Sequence, residues 1–231
     1  MKYYATIVII SFLSTLLMGI LLIPWLCRLK FGQHVREDGP KTHLSKSGTP
    51  TMGGIIFLIP IVILSIVLSK GDRELVVAAV LTTAGFGMIG FLDDFIKVVK
   101  KRSLGLKAYQ KIICQLIVAV ILAVYAYNNE YIGSSLAIPF VDKEWDLGIL
   151  YIPAAVFIIV GTVNSVNLTD GLDGLCAGVT LIVSATLAII ITAAWKLADE
   201  QGLAWLADNY QNLIIFSAAL TGGCLGFLRY N

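Results

Sequence analysis

Apolar residues fall in seven blocks along the chain, each roughly twenty residues long and separated by polar, charged or Gly/Pro-bearing stretches. The blocks lie at about 3–27, 51–69, 75–96, 110–127, 147–165, 177–195 and 210–228. That length suits an α-helix crossing a hydrocarbon core of about 30 Å. The pattern predicts an all-α polytopic membrane protein, with seven transmembrane helices forming a single integral membrane domain over 1–231. Pro24, Pro60 and Pro153 fall inside or at the ends of blocks, which membrane helices tolerate where neighbours satisfy the freed backbone groups. The first block is too long for the apolar part of a signal peptide, and no small-residue cleavage site follows it, so it reads as the first span.

Composition agrees. The chain of 231 residues is 58% hydrophobic and 14% charged, against about 25% charged in a soluble domain. Its net charge of +2 is too small to suggest nucleic acid as a partner. The distribution of charge sets the orientation. Twelve of the 17 Lys and Arg residues lie in loops 28–50 and 97–111 and in the tail. The opposite side carries Lys2, Lys70, Arg73, Lys143 and Lys196. The positive-inside rule then puts the N-terminus outside and the C-terminus in the cytoplasm. On the outer side, loop 128–146 holds the apolar run 136–141 and Trp145, and predicts a short strand or hairpin. Trp145, Trp195 and Trp205 suit an interfacial belt. Cys27, Cys114, Cys176 and Cys224 are scattered and form no C-x-x-C pair, so they read as small apolar residues in reduced surroundings.

The third block runs directly into Asp93-Asp94-Phe95-Ile96-Lys97. Carboxylates at that depth are costly, and the negative end of a helix dipole adds to the cost. A cation has to offset both. Lys97 follows Asp93 by four residues and Asp94 by three, so a continuing helix lets it face either. A divalent cation or a diphosphate–metal substrate is the other source of positive charge. The pair is therefore a candidate active site. Lys101, four residues after Lys97, lies on the Asp93 face of such a helix, whereas Lys100 and Arg102 point to lipid headgroups or solvent.

Two further segments share the predicted cytoplasmic face. Asn164-Ser-Val-Asn167-Leu-Thr-Asp170-Gly171-Leu-Asp173-Gly174 joins the fifth and sixth blocks. Asp170 and Asp173 share a face if the segment is a helical turn, and the glycines permit close approach of a ligand. Asparagines and carboxylates in a short loop suit a hard cation or a nucleotide; the plainer alternative is a turn with Asp170 as a helix N-cap. His43-Leu-Ser-Lys46-Ser-Gly48-Thr49-Pro50-Thr51-Met52-Gly53-Gly54 enters the second block. There Lys46 offers a point charge to phosphate, and Thr49, Thr51 and the backbone N–H groups stand at a helix N-terminus. Gly85-x-Gly87-x-x-Gly90 has dinucleotide-fingerprint spacing, but it lies inside a span and reads as close helix packing. His34 and His43 are too few and too far apart for a metal site.

Together, in this order and at these span boundaries, the segments at 43–54, 91–97 and 167–175 resemble the bacterial phospho-N-acetylmuramoyl-pentapeptide transferase family, within the polyprenyl-phosphate N-acetylhexosamine-1-phosphate transferases. The resemblance implies ten spans, of which this sequence would supply the first seven, and Asn231 would open the family's next acidic stretch. It implies transfer of phospho-MurNAc-pentapeptide from UDP-MurNAc-pentapeptide to undecaprenyl phosphate, with release of UMP. It also implies a Mg2+ requirement, a bacterial plasma-membrane location and an active site on the cytoplasmic side. On that reading Asp93 takes the proton from the lipid phosphate, and Asp94 positions it or the metal. Lys46, Thr51, Lys97 and Lys101 meet phosphate, while Asn167, Asp170, Asp173 and Asn231 bind the substrate. Asp94 and Asp173 are the metal candidates, and a homodimer is among the expected partners.

Two other classes compete. An ion-coupled secondary transporter also uses intramembrane acids and glycines, but it predicts charges near the bilayer midplane and symmetry between halves. A nonenzymatic scaffold leaves the acidic clusters without a reason.

Overall fold

In the computed structural model, residues 2–28, 52–100, 104–138 and 143–231 are described. Among them are seven α-helices: α1 (Lys2–Arg28), α2 (Ile55–Leu68), α3 (Glu74–Val99), α4 (Ala108–Asn128), α5 (Tyr151–Thr169), α6 (Leu175–Glu200) and α7 (Ala204–Phe227). The protein is an all-α polytopic membrane protein. Among the described residues, five stretches are long and apolar enough to cross a bilayer: α1, α3, α4, the stretch Gly148–Thr169 and α6. Helix α2 is apolar but spans 14 residues.

Helix α7 is the least lipid-like of the seven because neighbouring helices surround it. In the unit formed by Met1–Lys107 and Leu172–Asn231, helices α1, α2, α3 and α6 all pack on it. Apolar side chains gain little from hiding in one another when the solvent is also hydrocarbon, so small residues that let backbones approach are favoured. Gly222 and Gly226 face α1: a Cβ on Gly222 would collide with the carbonyl oxygen of Val8, and one on Gly226 would lie 2.9 Å from that of Phe12. The facing stripe of α1 is Ser11, Thr15 and Gly19, four residues apart and buried. The Ser11 hydroxyl donates to the Ala219 carbonyl at 2.6 Å. Gly19 accepts the ring of Tyr230, whose hydroxyl donates to the Leu16 carbonyl at 2.7 Å. Beside this seam, Ile7, Ile61, Ile215, Ala218 and Ala219 form the buried apolar cluster.

The start of α7 fastens the turn between α2 and α3. The buried Asn212 amide donates to the carbonyls of Lys70 and Asp72, both at 2.7 Å, and its oxygen accepts from Lys70 N–H at 3.0 Å. Asn209 accepts from Leu75 N–H at 2.8 Å, which satisfies a donor in the first turn of α3. Gly71 takes φ +59° there, and its missing Cβ leaves room for the Asp208 carboxylate.

The second unit, Ala108–Gly171, holds α4, α5 and the predicted hairpin. Strands β1 (Ser135–Ala137) and β2 (Glu144–Asp146) pair antiparallel, with Leu136 opposite Trp145. The Asp146 carboxylate accepts from the Ser134 hydroxyl at 2.6 Å and from Gly148 N–H at 2.9 Å. Those two donors hold its pKa below the ordinary value.

The seam yields a stability test. Gly222→Val should cost about 1–3 kcal/mol through overpacking against Val8 and Ser11. Gly178→Ala, on α6 with nothing within 4 Å of the new Cβ, should be neutral or slightly stabilising. Thermal unfolding in detergent reads both, and equal losses would refute the close-approach account.

Candidate active site at the end of α3

Helix α3 continues to Val99, so Asp93 and Asp94 stand within its last two turns rather than at its tip. The continuation carries Lys97 back over both acids. Its ammonium lies 2.6 Å from Asp93 Oδ2 and 2.9 Å from Asp94 Oδ1. One cation thus neutralises part of a carboxylate pair that the helix dipole would otherwise disfavour. Burial separates the acids: the Asp93 side chain is 15% exposed and that of Asp94 33%. Phe91 and Phe95 stack on the same helix with ring centroids 6.1 Å apart.

The segment after α3 folds back onto Asp93. Leu106 N–H donates to Asp93 Oδ1 at 2.9 Å. Gly105 is buried against the same side chain, and a Cβ there would lie 2.7 Å from Asp93 Cγ and closer still to two of its oxygens. Both Asp93 oxygens are therefore engaged, one by Leu106 and one by Lys97. Among the described residues, Asp94 is bonded through Oδ1 alone. Sequence reasoning missed Gly105 and Leu106. The only cue was a single glycine in a basic loop, and a backbone donor has no signature of its own.

Other ends gather near this one within the same unit. Phe227, at the end of α7, packs on Gly53 and Phe57 at the start of α2, with its ring 4.9 Å from that of Phe57. Leu228 packs on Gly174 at the start of α6. Helix α2 in turn meets α3 where Gly87 faces Leu58 at 3.1 Å. The end of α3, the starts of α2 and α6 and the end of α7 therefore share one end of the unit. Asp173, just before α6, and Asn231, just after α7, belong to that end. Of the glycine fingerprint, Gly87 is a packing glycine as expected, but Gly90 has nothing within 4 Å.

The loop 170–174 departs from the sequence reading. Helix α5 ends at Thr169 with Asp170 as its C-cap, and α6 begins at Leu175 behind Gly174 at φ +74°. The residues between form turns. Asp170 is thus not an N-cap, and no helical turn puts Asp170 and Asp173 on one face. Two Asp-Gly steps favour turns over helix, and Gly174 takes the left-handed conformation, which glycine adopts cheaply.

In the second unit, α4 and α5 are tied by polar side chains. The Lys111 ammonium donates to Asn167 Oδ1 at 3.1 Å, and the Asn164 amide donates to Gln115 Oε1 at 2.8 Å. Gln115 is buried. Lys111 and Gln115 were legible only as an i, i+4 polar pair in an apolar block. Lys46, Thr51 and Lys101 lie outside the described residues.

Among the described residues, no three His, Cys, Asp or Glu side chains gather to hold a metal. Among the described residues, the carboxylate oxygen beside Lys97 with no bonded partner is Asp94 Oδ2. Magnesium commonly binds through one or two carboxylates plus substrate phosphates, so this donor suits a shared ion rather than a protein-only cage.

A family model described as Glycosyl transferase family 4 matches residues 76–231. Residues 46–58 match the phospho-N-acetylmuramoyl-pentapeptide-transferase signature 1. The chain is 51% identical over 223 residues to a phospho-N-acetylmuramoyl-pentapeptide-transferase of Thermoanaerobacter sp. (strain X514), covering 96% of this chain and 65% of the relative. Proteins of the same name from Clostridioides difficile (strain 630) and Clostridium kluyveri (strain ATCC 8527) are 49% and 46% identical. The first covers 96% of this chain and 65% of the relative, the second 97% and 66%. The chain thus spans about two thirds of the length of these relatives.

The α4–α5 tie predicts unequal costs. Gln115→Ala removes a buried amide and leaves the Asn164 amide with the Val160 carbonyl alone, and should cost about 1–3 kcal/mol. Lys111→Ala, at the exposed end, should change stability by less than about 1 kcal/mol. Unfolding midpoints in detergent decide, and equal shifts would contradict the burial argument.

Proposed function

The chain belongs to glycosyl transferase family 4, and from that premise we propose that the complete protein transfers phospho-MurNAc-pentapeptide from UDP-MurNAc-pentapeptide to undecaprenyl phosphate. The products are undecaprenyl-diphospho-MurNAc-pentapeptide and UMP. The observation that carries the reading is the Asp93–Lys97–Asp94 cluster at the end of a membrane-spanning helix. The signature match at 46–58 and the names of the relatives point the same way.

The chemistry asks for such a cluster. An oxygen of the lipid phosphate attacks the phosphorus attached to the sugar, the bond from that phosphorus to the oxygen bridging to UMP breaks, and UMP leaves. Two anions must be brought together first, and cations lower their repulsion. Lys97 does so at the cluster, and we assign Lys46 and Lys101 the same task on the phosphates. The proton of the lipid phosphate passes to the acid pair. A lipid acceptor explains why the acids stand at the end of a span, where a headgroup meets the surface. Thr51 is assigned to phosphate, and Asn167, Asp170, Asp173 and Asn231 to the sugar–nucleotide side. Mg2+ is the cofactor of this reading, with Asp94 and Asp173 as its protein donors, and it would neutralise charge on the diphosphate. The cytoplasmic face of the bacterial plasma membrane is the working side, as the Lys and Arg asymmetry of the loops supports.

The test is UMP release by the full-length protein given both substrates and magnesium. Lys97→Ala should lower turnover at least 100-fold, and the double variant Asp93→Asn/Asp94→Asn at least 1000-fold. Lys100→Ala, at the C-cap of α3, should stay within about threefold. Absence of UMP release from the folded wild-type protein, or equal loss in the two lysine variants, would overturn the assignment.

A further inference from the structure

The hairpin of the second unit has two unlike faces. Successive strand residues point to opposite sides of a ribbon. The register sets Leu136 opposite Trp145, and Ile138 N–H donates to the Lys143 carbonyl at 3.1 Å, which extends the same ladder by one pair. One face therefore carries Leu136, Ile138, Trp145 and Lys143. The other carries Ala137, Glu144 and Asp146. Trp145 is 63% exposed, and Leu136 and Ile138 are exposed beside it. Two strands of three residues each are marginal in water unless their apolar face packs on something. Both roots of the ribbon are fastened. Leu147 N–H donates to the Ser134 carbonyl at 3.1 Å, and Gly133 N–H donates to that of Asn129, just beyond α4, at 2.9 Å.

The cover for that face follows from where the ribbon stands. Strand β2 ends at Asp146, one residue before the stretch Gly148–Thr169 that can cross a bilayer, and no residue of α5 is buried in protein. Ile149 and Leu150, the first large apolar residues of that stretch, are exposed as well. The apolar face thus runs on into a helix whose surroundings are lipid. Its composition fits the same surroundings. Trp favours the headgroup level of a bilayer, and a Lys stem can lie along apolar surface while its ammonium reaches lipid phosphate. A protein partner would suit the Trp but not the Lys, which is depleted at protein interfaces. The backbone limits the depth, because each strand has one unpaired edge and open sheet edges do not occur in hydrocarbon. We propose that the hairpin lies in the bilayer interface where α4 ends and α5 begins. Leu136, Ile138 and Trp145 rest on the acyl boundary, Lys143 meets the phosphates of anionic headgroups, and Glu144 and Asp146 face water. The second unit is thereby held along the membrane surface as well as through it.

The test reads Trp145 fluorescence in the full-length protein, reconstituted in vesicles of phosphatidylcholine and phosphatidylglycerol. Every other tryptophan, Trp25, Trp195 and Trp205 among them, is replaced by phenylalanine. Lipids brominated near the glycerol end of their chains should quench Trp145 at least twofold. Lipids brominated near the methyl end, and acrylamide in the water, should quench it much less. Moving the reporter to the opposite face, as Trp145→Phe with Ala137→Trp, should reverse the pattern, with acrylamide the stronger quencher. Lys143→Glu should lower the glycerol-end quenching at least twofold in the mixed vesicles and by less in phosphatidylcholine alone. Quenching of Trp145 by acrylamide and by neither lipid would mean a hairpin in water. Shielding from acrylamide and from both lipids would mean a protein cover, either another part of the chain or a second copy. Strongest quenching by the methyl-end lipids would mean insertion into hydrocarbon. Each of these results, or equal behaviour of the two faces, overturns the proposal; a Lys143→Glu variant equal to its parent in both vesicles overturns the phosphate contact. The readout does not depend on UMP release, so it decides this proposal whether or not the assigned reaction holds.

Discussion

Helices that meet inside hydrocarbon gain little by burying apolar side chains in one another, so close backbone approach and buried polar bonds must hold them. That constraint explains what is unusual in this chain. Helix α7 gives up bulk at Gly222 and Gly226 to reach α1, and Ser11 spends its hydroxyl on a carbonyl of the opposite helix. Asn209 and Asn212 bind the turn between α2 and α3 through backbone groups. In the second unit, Gln115 and Asn164 tie α4 to α5. Each of these five side chains is matched, because an unmatched polar group in lipid is expensive.

The Asp93–Lys97–Asp94 cluster obeys the same rule but leaves a remainder. Two carboxylates and one ammonium leave one negative charge over, and one carboxylate oxygen is open among the described residues. A purely structural ion pair would need one acid. The second acid adds desolvation cost and like-charge repulsion. Groups held against their own electrostatic preference are a recognised mark of functional sites. The excess charge is therefore best read as a seat for an incoming cation or for the proton of an anionic substrate.

The helices were legible because lipid imposes length and apolarity on every span, whatever its neighbours. The role of α7 was not, since hydropathy treats a helix facing lipid and one facing other helices alike; its glycines and asparagines carried the cue. The reach of Lys97 to both acids followed from helical spacing alone. The loop 170–174 misled because a three-residue spacing implies a shared face only on a helix, and the residues from Asp170 to Asp173 form turns. Gly105 and Leu106 could not be read at all. What they contribute is a missing atom and a backbone N–H, and the fold alone decides where those fall.

Rigidity connects fold to chemistry. Asp93 and Lys97 sit on a helix 26 residues long whose first turn is fastened by Asn209 and whose middle is packed by Leu58 on Gly87. A helix held at those points transmits little play to its last turns, so the spacing of the three charged groups is set by backbone geometry. What remains free is side-chain rotation. Leu106 restrains Asp93 directly, and both acids restrain Lys97. Asp94, the more exposed acid, is itself held by Lys97 through Oδ1, so each of the three charged groups is restrained by a neighbour and an incoming ligand meets a preset spacing.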